Sequence, residues 1–389
     1  MTELLFLLLP VAAGYGWFMG RNSIKQKDQH DKDSLTIKYS TGLNYLLSNQ
    51  QDKAMEYLLE ALTVEDDTAE AHFAMANLFR KRGELDRALQ VHEYLVRQPM
   101  LSDKQKQQAV FELGRDFHSA GLFDRAEKLF HKLLKSDIYG IKALTYLMQI
   151  YQSTKDWQKG VGLEKSVLKS KDKKLKQVLA NFYCELASIA ILNEEYIKEL
   201  ELLQRALELH PKSSRANFLM AQVFEKSEQY NDACRCYQEI FYQDSEFFPD
   251  VIDKMQHCYQ HSDINDEFYP FIQKVFEKTG STTALIKYLD FVESTQSKEK
   301  AEEYILTALN RRPTIRGFKH FIKMQLTESE QGKTQQSLDA IKELVAAYIN
   351  IRPRYSCRHC GFNSTVHYWS CPSCHDWEQI KPVRGLEGE

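Results

Sequence analysis

The chain contains 389 residues and carries 51 Lys and Arg against 54 Asp and Glu, which gives a formal net charge of −3. This near balance excludes a protein whose whole surface is attracted to nucleic acid or to anionic lipid. The length exceeds what one hydrophobic core usually supports, so several domains or a repeat architecture are expected. Only 9 Pro and 16 Gly occur, which favours a mostly helical protein.

The first predicted element is an uncharged and mostly apolar stretch over residues 4–20. A helix of this length rises about 26 Å, at the short end for a hydrocarbon core about 30 Å thick. A cleavable signal peptide would carry positive charge before the apolar run, whereas Glu3 is the only charged side chain there. A buried N-terminal helix is the other alternative. We predict a transmembrane anchor over residues 1–20.

Basic residues follow the apolar stretch at Arg21, Lys25 and Lys27. By the positive-inside rule they place the N-terminus outside and the body of the protein in the cytoplasm. The next residues are rich in Lys, Gln and Asp, so residues 21–33 are predicted to form a polar linker between the anchor and the body.

Beyond the linker, paired amphipathic helices joined by a short turn recur along the chain. Aligning the small residue early in the second helix of each pair gives successive spacings of 34, 38, 34, 39, 34, 35 and 33 residues. A helical hairpin repeated every 34 residues or so is typical of tetratricopeptide repeats. The aligned positions are Ala54, Ala88, Ala126, Gly160, Glu199, Ala233, Phe268 and Ala301. The pattern predicts an all-α superhelical solenoid over residues 34–350, with about eight to nine hairpins.

A small residue is expected at these positions because it lets the two helices of a hairpin approach closely. Glu199 and Phe268 break this rule, so their copies are expected to be irregular or locally splayed. Gly83 and Gly121 fall in the turns between helices, where a positive φ costs glycine little. A ninth pair with a weaker signal covers residues 317–349. Such stacks offer a groove for binding rather than a catalytic pocket.

The sequence lacks the common catalytic motifs, namely a glycine-rich phosphate loop, a GxSxG elbow and an HExxH helix. Histidines in the predicted helices, at positions 72, 92, 118 and 131, are interpreted as packing or surface residues. We therefore predict no catalytic residue and no organic cofactor, and the protein is not expected to be an enzyme.

The last predicted element is a small metal-binding ribbon over residues 351–389. Two CxxC motifs with ten residues between them place four thiols at the spacing of a metal ribbon. Four thiolates complete a tetrahedral site and leave no open position for a substrate. The predicted ligands are Cys357, Cys360, Cys371 and Cys374. The other cysteines show no paired spacing, which favours a reducing compartment over disulfides.

Other ribbon residues surround the predicted site. Gly361 follows the first CxxC motif, where a left-handed turn would aim backbone N–H groups at sulfur. The ribbon histidines at positions 359, 367 and 375 are interpreted as neighbours of the site or surface residues. Its aromatic residues, Tyr355, Phe362, Tyr368, Trp369 and Trp377, are expected to form a small core or a docking face. From Arg352 onward five basic residues meet four acidic ones, a weak footprint for nucleic acid, and no nucleic-acid partner is expected.

The combination of anchor, repeats and ribbon resembles the lipopolysaccharide assembly protein B (LapB) family of Gram-negative bacteria, essentially from end to end. The segments ELLFLLLPVAAGYGWFMGR, LLSNQQDKA, YWSCPSC and IKPVRGL carry the resemblance. It implies a single-pass inner-membrane protein with a periplasmic N-terminus and a cytoplasmic body. It also implies an adaptor that promotes degradation of the lipid A deacetylase LpxC by the membrane-bound ATP-dependent protease FtsH. A membrane-embedded lipopolysaccharide sensor is the implied antagonist.

The resemblance also bears on the metal. The family's ligands carry over onto the four cysteines of the ribbon, and its rubredoxin-type site implies iron. Zinc stays open because the ten-residue gap is shorter than in free-standing rubredoxins and because zinc suits a structural thiolate site. Two alternatives to the adaptor are a scaffold that gathers lipopolysaccharide assembly enzymes without controlling proteolysis, and a redox protein. A homodimer is left open by the sequence.

Overall fold

The computed structural model describes residues 16–19, 41, 44–45, 66–192, 196–326 and 333–389. The predicted anchor and linker, and the first repeat with Ala54, therefore lie outside the described residues, apart from a helical turn at 16–19 and the single positions 41 and 44–45. Among the helices that are described, none is both long and apolar enough to cross a membrane.

The described helices fall into two compact units, one ending at Ile150 and the other beginning at Tyr151. The first unit contains α1 (Asp66–Arg82), α2 (Leu85–Val96), α3 (Asp103–Ser119), α4 (Phe123–Leu133) and most of α5 (Gly140–Thr154). The second contains α6 (Trp157–Val161), α7 (Glu164–Ser170), α8 (Lys173–Leu192), α9 (Tyr196–Leu209), α10 (Ser214–Lys226), α11 (Tyr230–Gln243), α12 (Ile252–Gln260), α13 (Phe268–Thr279), α14 (Thr282–Thr295), α15 (Lys298–Arg311), α16 (Ile315–Leu326) and α17 (Lys333–Ile351). Short 3-10 turns lie at Phe248–Asp250 and Asn265–Glu267.

The first unit is built from the hairpins that the repeat pattern predicts. Ala88 and Ala126 are fully buried where the paired helices meet. Gly83 and Gly121 lie in the turns with φ of +82° and +73°, the left-handed conformation expected of them. A Cβ at Gly114 would lie 2.8 Å from the Phe130 ring, so close packing of α3 on α4 requires glycine there.

A buried ionic network joins α1, α2 and α3 within this unit. Arg80 forms ion pairs with Glu112 at 2.5 Å and with Asp116 at 2.6 Å. His92, which is fully buried, bonds to the other oxygen of Asp116 through Nδ1. The packing role predicted for His92 therefore includes a buried polar contact with Asp116.

In the second unit the repeats are less regular. The copy that contains Gly160 has two short helices, α6 and α7, and a Cβ at Gly160 would overlap the Phe182 ring. Phe268 begins α13 directly after a 3-10 turn, as expected of an irregular copy. Glu199 instead lies in a regular 14-residue helix, where it is fully buried and burial raises its pKa to about 7.

The ribbon follows α17 and consists of three short antiparallel strands in the order β2-β1-β3. The strands are β1 (Tyr355–Cys357), β2 (Asn363–Ser364) and β3 (Ile380–Pro382). Tyr355 pairs with Ser364 on one side and with Pro382 on the other. The ribbon core is small, with Tyr355, Cys357, Cys371 and Ile380 buried and Phe362 packed against them.

Candidate metal centre and the ribbon docking face

The four predicted ligands converge at one end of the ribbon. The sulfur atoms of Cys357, Cys360, Cys371 and Cys374 all lie within 4.8 Å of one another. The Cys360 and Cys371 sulfurs are 3.6 Å apart, and those of Cys357 and Cys374 are 3.8 Å apart. A tetrahedron with metal–sulfur bonds of about 2.3 Å has edges of about 3.8 Å. The arrangement therefore fits one tetrahedral ion.

Two similar turns position the sulfurs. After the first CxxC motif, the Gly361 N–H donates to the Cys357 carbonyl at 3.0 Å, and Gly361 has a φ of +77°. After the second, the His375 N–H donates to the Cys371 carbonyl at 2.9 Å, and His375 has a φ of +60°. The sequence predicted the glycine turn, but it did not predict that a histidine would adopt the same conformation in the second motif.

The electrostatics of the thiols also fit a cation site. A hydrogen bond from the Phe362 backbone lowers the pKa of the Cys360 thiol to about 6. Burial, together with the neighbouring sulfurs, raises the pKa of the Cys374 thiol to about 12. Four adjacent thiolates repel one another, so all four ionise together only where a cation compensates their charge.

The ribbon histidines take separate places around the site. His359 Nδ1 lies 2.6 Å from Asp376 Oδ2, and both side chains are partly exposed. The His375 carbonyl accepts a hydrogen bond from Gln152 Nε2 at 2.7 Å. The His367 ring lies 4.8 Å, centroid to centroid, from the Phe247 ring of the helical body, at a tilt of 37°. The positions of His359 and His375 fit their interpretation as neighbours of the site, whereas His367 packs among the aromatic rings of Phe247, Tyr355 and Trp369 instead.

Two tryptophans of the ribbon dock on the helices of the second unit. Trp377 is 4% exposed and meets the rings of Trp157 and Phe182 edge-on at 6.2 and 6.4 Å. Trp369 lies 5.8 Å from Phe218 and 4.8 Å from Phe247. The ribbon therefore shares an apolar interface with the helical body.

Arg215 is the polar centre of this interface. Its guanidinium lies 5.8 Å from the centre of the Trp369 ring and 5.3 Å from that of Trp377. The residue is 4% exposed, and its Nη2 atom donates to Glu185 Oε1 at 2.8 Å. A delocalised guanidinium suits this position because it can bind a carboxylate and contact aromatic faces at once.

Ion pairs surround the aromatic contacts. They link Arg358 to Glu246 at 3.0 Å, Arg354 to Asp250 at 2.5 Å, and Lys381 to Asp244. On the other side, Glu378 of the ribbon is 8% exposed and accepts a hydrogen bond from Ser213 Oγ at 3.1 Å.

The sequence indicated some of these residues and missed others. Trp369 and Trp377 were among the aromatics expected to form a core or a docking face, and they form the docking face. Arg215 and Phe247 were not predicted, because nothing in their local pattern distinguishes them from other repeat positions.

The packing of His367 predicts a pH dependence of ribbon docking. Burial, together with the charge of Lys381, lowers the pKa of His367 to about 4, although Asp244 opposes the shift and Arg215 adds to it. The pKa of His367 is lower in the folded protein than in the unfolded chain, so the unfolded chain binds the proton more tightly. The stability of the docked ribbon therefore decreases as the pH falls below about 6.5. Between pH 7 and pH 5 we expect docking to weaken by at most about 2 kcal/mol.

Thermal unfolding of the ribbon at pH 7 and pH 5 measures this loss. His367→Gln keeps a hydrogen-bond donor but does not titrate, so it should reduce the difference between the two pH values. The exposed His359→Gln serves as the control. An equal pH dependence in the wild type and His367→Gln would show that another group is responsible.

The comparisons with known proteins agree with this architecture. Residues 355–382 match the model described as a rubredoxin metal binding domain, and residues 71–99 match a tetratricopeptide repeat. The chain is 39% identical over 388 residues to lipopolysaccharide assembly protein B of Escherichia coli (strain K12), with 100% of both chains covered. It is 35% identical over 396 residues to the protein of that name from Haemophilus influenzae, again with full coverage of both.

The solved structures that match the chain are more distant. A tetratricopeptide repeat protein from Parabacteroides merdae is 14% identical, with a TM-score of 0.34, 72% of this chain covered and 99% of that chain. MamA from Desulfovibrio magneticus RS-1 is 16% identical, with a TM-score of 0.32 and coverage of 46% and 95%. The predicted fold class, an all-α repeat body with a small rubredoxin-like ribbon, is confirmed by the family matches and by the described helices and strands.

Proposed function

The chain belongs to the lipopolysaccharide assembly protein B family, and on this premise we propose that it acts in lipopolysaccharide assembly as a non-enzymatic, membrane-tethered adaptor. In this role it promotes degradation of the deacetylase LpxC by the protease FtsH, and a membrane lipopolysaccharide sensor opposes it. The observation that carries the proposal is the closed four-cysteine centre in a ribbon docked on helical repeats. Such a centre has no open position for a substrate, and repeats of this kind recognise other proteins.

The metal has a structural part in this proposal. Cys357, Cys360, Cys371 and Cys374 would hold one ion, either iron or zinc, and the ion would supply the ribbon with the stability that its small core lacks. Metal analysis of the purified protein distinguishes the two ions. Iron with a reversible change in visible absorbance would favour the redox alternative, whereas zinc alone would eliminate it.

The proposed tether explains how an adaptor that catalyses no reaction could act. An anchor over residues 1–20 would confine the body beside a membrane-bound protease, so that weak contacts form at a high effective concentration. A deletion of residues 1–20 should leave the body folded but lengthen the half-life of the deacetylase several-fold in cells.

Replacement of residues 1–20 by an unrelated single-pass anchor of the same orientation is the matched control, and it should restore rapid turnover if tethering alone is required. An unchanged half-life after deletion of the anchor would contradict a tethered adaptor. An unchanged half-life after depletion of the whole protein would favour the scaffold instead, because only an adaptor shortens the lifetime of the deacetylase.

A further inference from the structure

The segment after β3, residues 383–389, leaves the ribbon and lies against α14, α16 and α17; we call it the strap. Its backbone closes a tight loop, since the Glu389 N–H donates to the Val383 carbonyl at 2.8 Å and the Gly388 N–H to the Gly385 carbonyl at 3.2 Å. Gly385 has a φ of +101°, and a Cβ at Gly388 would overlap the Val383 carbonyl. Two glycines are therefore required to turn the strap so that Glu389 points into the helical body.

The Glu389 carboxylate sits in a pocket of donors. Ser281 Oγ donates to Oε2 at 2.9 Å, and the Thr283 backbone N–H donates to the same oxygen at 3.1 Å. Thr283 Oγ1 and the Arg316 guanidinium bond to Oε1. Glu389 is only 6% exposed, so its charge is removed from water and compensated by these groups.

The same loop also accepts a hydrogen bond from a second helix. The first N–H group of α16, that of Ile315, donates to the Leu386 carbonyl of the strap at 2.8 Å. Thr282 Oγ1 donates to Thr314 Oγ1 at 3.1 Å, which holds the N-termini of α14 and α16 side by side. The strap therefore satisfies donors that two helices leave unpaired at their first turns.

The chemistry of the pocket selects a carboxylate. Two helix N-termini contribute partial positive charge, and Arg316 adds a full one. Burial alone would raise the pKa of Glu389, but Arg316 and the hydrogen bonds from Thr283 and Ser281 outweigh it and hold that pKa below its usual range. The group bound in the pocket is therefore an ionised carboxylate.

Outside this pocket the strap makes mostly surface contacts, among them an ion pair of Arg384 with Glu246 at 3.9 Å. Leu386 is 58% exposed, and Glu387 bonds to Tyr348 Oη at 2.7 Å and pairs with Arg352 at 3.3 Å, both partly exposed. The strap is thus held by the Glu389 carboxylate, by the Leu386 carbonyl and at its origin in β3. Ile380 of β3 pairs with the predicted metal ligand Cys357 of β1. The position of β3, from which the strap begins, therefore depends on a folded metal centre.

We propose that Ser281, Thr283 and Arg316 form a recognition site for an acidic peptide, which the strap occupies in cis as an autoinhibitory contact. The natural competitor is an acidic segment of a partner protein that turns in a tight loop and presents a carboxylate three residues after a backbone carbonyl, as Glu389 and Leu386 do. Release of the strap opens the site. The link between strap release and metal loss rests on the proposed function of the metal, whereas the site itself does not.

The test uses the full-length protein in detergent and a fluorescent peptide of the strap sequence, amidated at its end so that only side chains supply carboxylates. Glu389→Ala should bind this peptide about 10-fold or more tightly than the wild type, because the cis ligand no longer competes at high effective concentration. Adding Arg316→Ala to that variant should abolish binding, and a peptide with glutamine at the last position should not bind.

Gly388→Ala provides a second route to an open site, because it disturbs the loop while leaving Glu389 and the pocket residues intact. It should also increase peptide binding, and circular dichroism reports whether either variant has lost its helices. Equal peptide affinity for the wild type and both folded variants would overturn the proposal, as would binding that survives Arg316→Ala.

Removal of the metal from the wild type tests the link to the ribbon. Peptide binding should rise after chelation to the level of Glu389→Ala. If it stays at the level of the metal-loaded protein, the link is wrong, while the result for Glu389→Ala still decides the site. The turnover of the deacetylase is measured separately, so failure of the peptide site and failure of the adaptor function are distinguishable.

Discussion

Cys371→Ser is expected to release the metal ion and to unfold the ribbon while leaving the helical content nearly unchanged. Cys371 is fully buried in a core that contains only Tyr355, Cys357 and Ile380 as its other buried members. Structural zinc sites contribute about 10–16 kcal/mol of apparent binding free energy in small peptides, far more than such a core supplies. Loss of one ligand should therefore remove the main source of ribbon stability.

Metal content and far-UV circular dichroism measure the two halves of this prediction. The unfolded ribbon should also expose the face of the helical body that Trp369 and Trp377 cover, so binding of a hydrophobic dye should increase. Cys236→Ser is the matched control, because it removes a half-buried thiol of α11 that is outside the four-sulfur cluster. Retention of the ion by Cys371→Ser would contradict the ligand assignment, and a collapse of helicity would contradict a separately folding ribbon.

Arg215→Ala is expected to weaken ribbon docking by about 2 kcal/mol, because it removes a desolvated guanidinium that contacts the rings of two ribbon tryptophans. The change removes the cation between Trp369 and Trp377 and leaves Glu185 without its partner. Limited proteolysis of the ribbon and tryptophan fluorescence report the loss of docking. Arg215→Lys should have an intermediate effect, because lysine keeps the charge but lacks the planar group that contacts both rings.

Arg235→Ala is the control for this experiment. The Arg235 side chain is 76% exposed, and it pairs with Asp232 at 3.2 Å one turn away on the same helix. Surface pairs of this kind contribute little, so the expected change is within about 0.5 kcal/mol. If Arg215→Ala were as mild as this control, the aromatic contacts alone would hold the ribbon.

The acidic side chains at positions 199 and 389 show where sequence reasoning reached its limit. Glu199 broke the small-residue pattern and predicted an irregular copy, yet it lies buried in a regular helix. No sequence pattern indicated a role for Glu389, although its carboxylate joins the strap to two helices. In both cases the surroundings come from other elements, and a local pattern does not contain them.

The sequence by itself determined the repeat period, the glycine turns at Gly83, Gly121 and Gly361, and the four cysteines of the ribbon. These features are local, because a helical hairpin, a left-handed turn and a CxxC motif each need only a few neighbouring residues. Only the tertiary structure decided that the ribbon docks on the repeats, that Arg215 lies between its tryptophans, and that the strap closes on α14 and α16. Those contacts join residues far apart in the chain, whose positions depend on the summed geometry of several helix pairs.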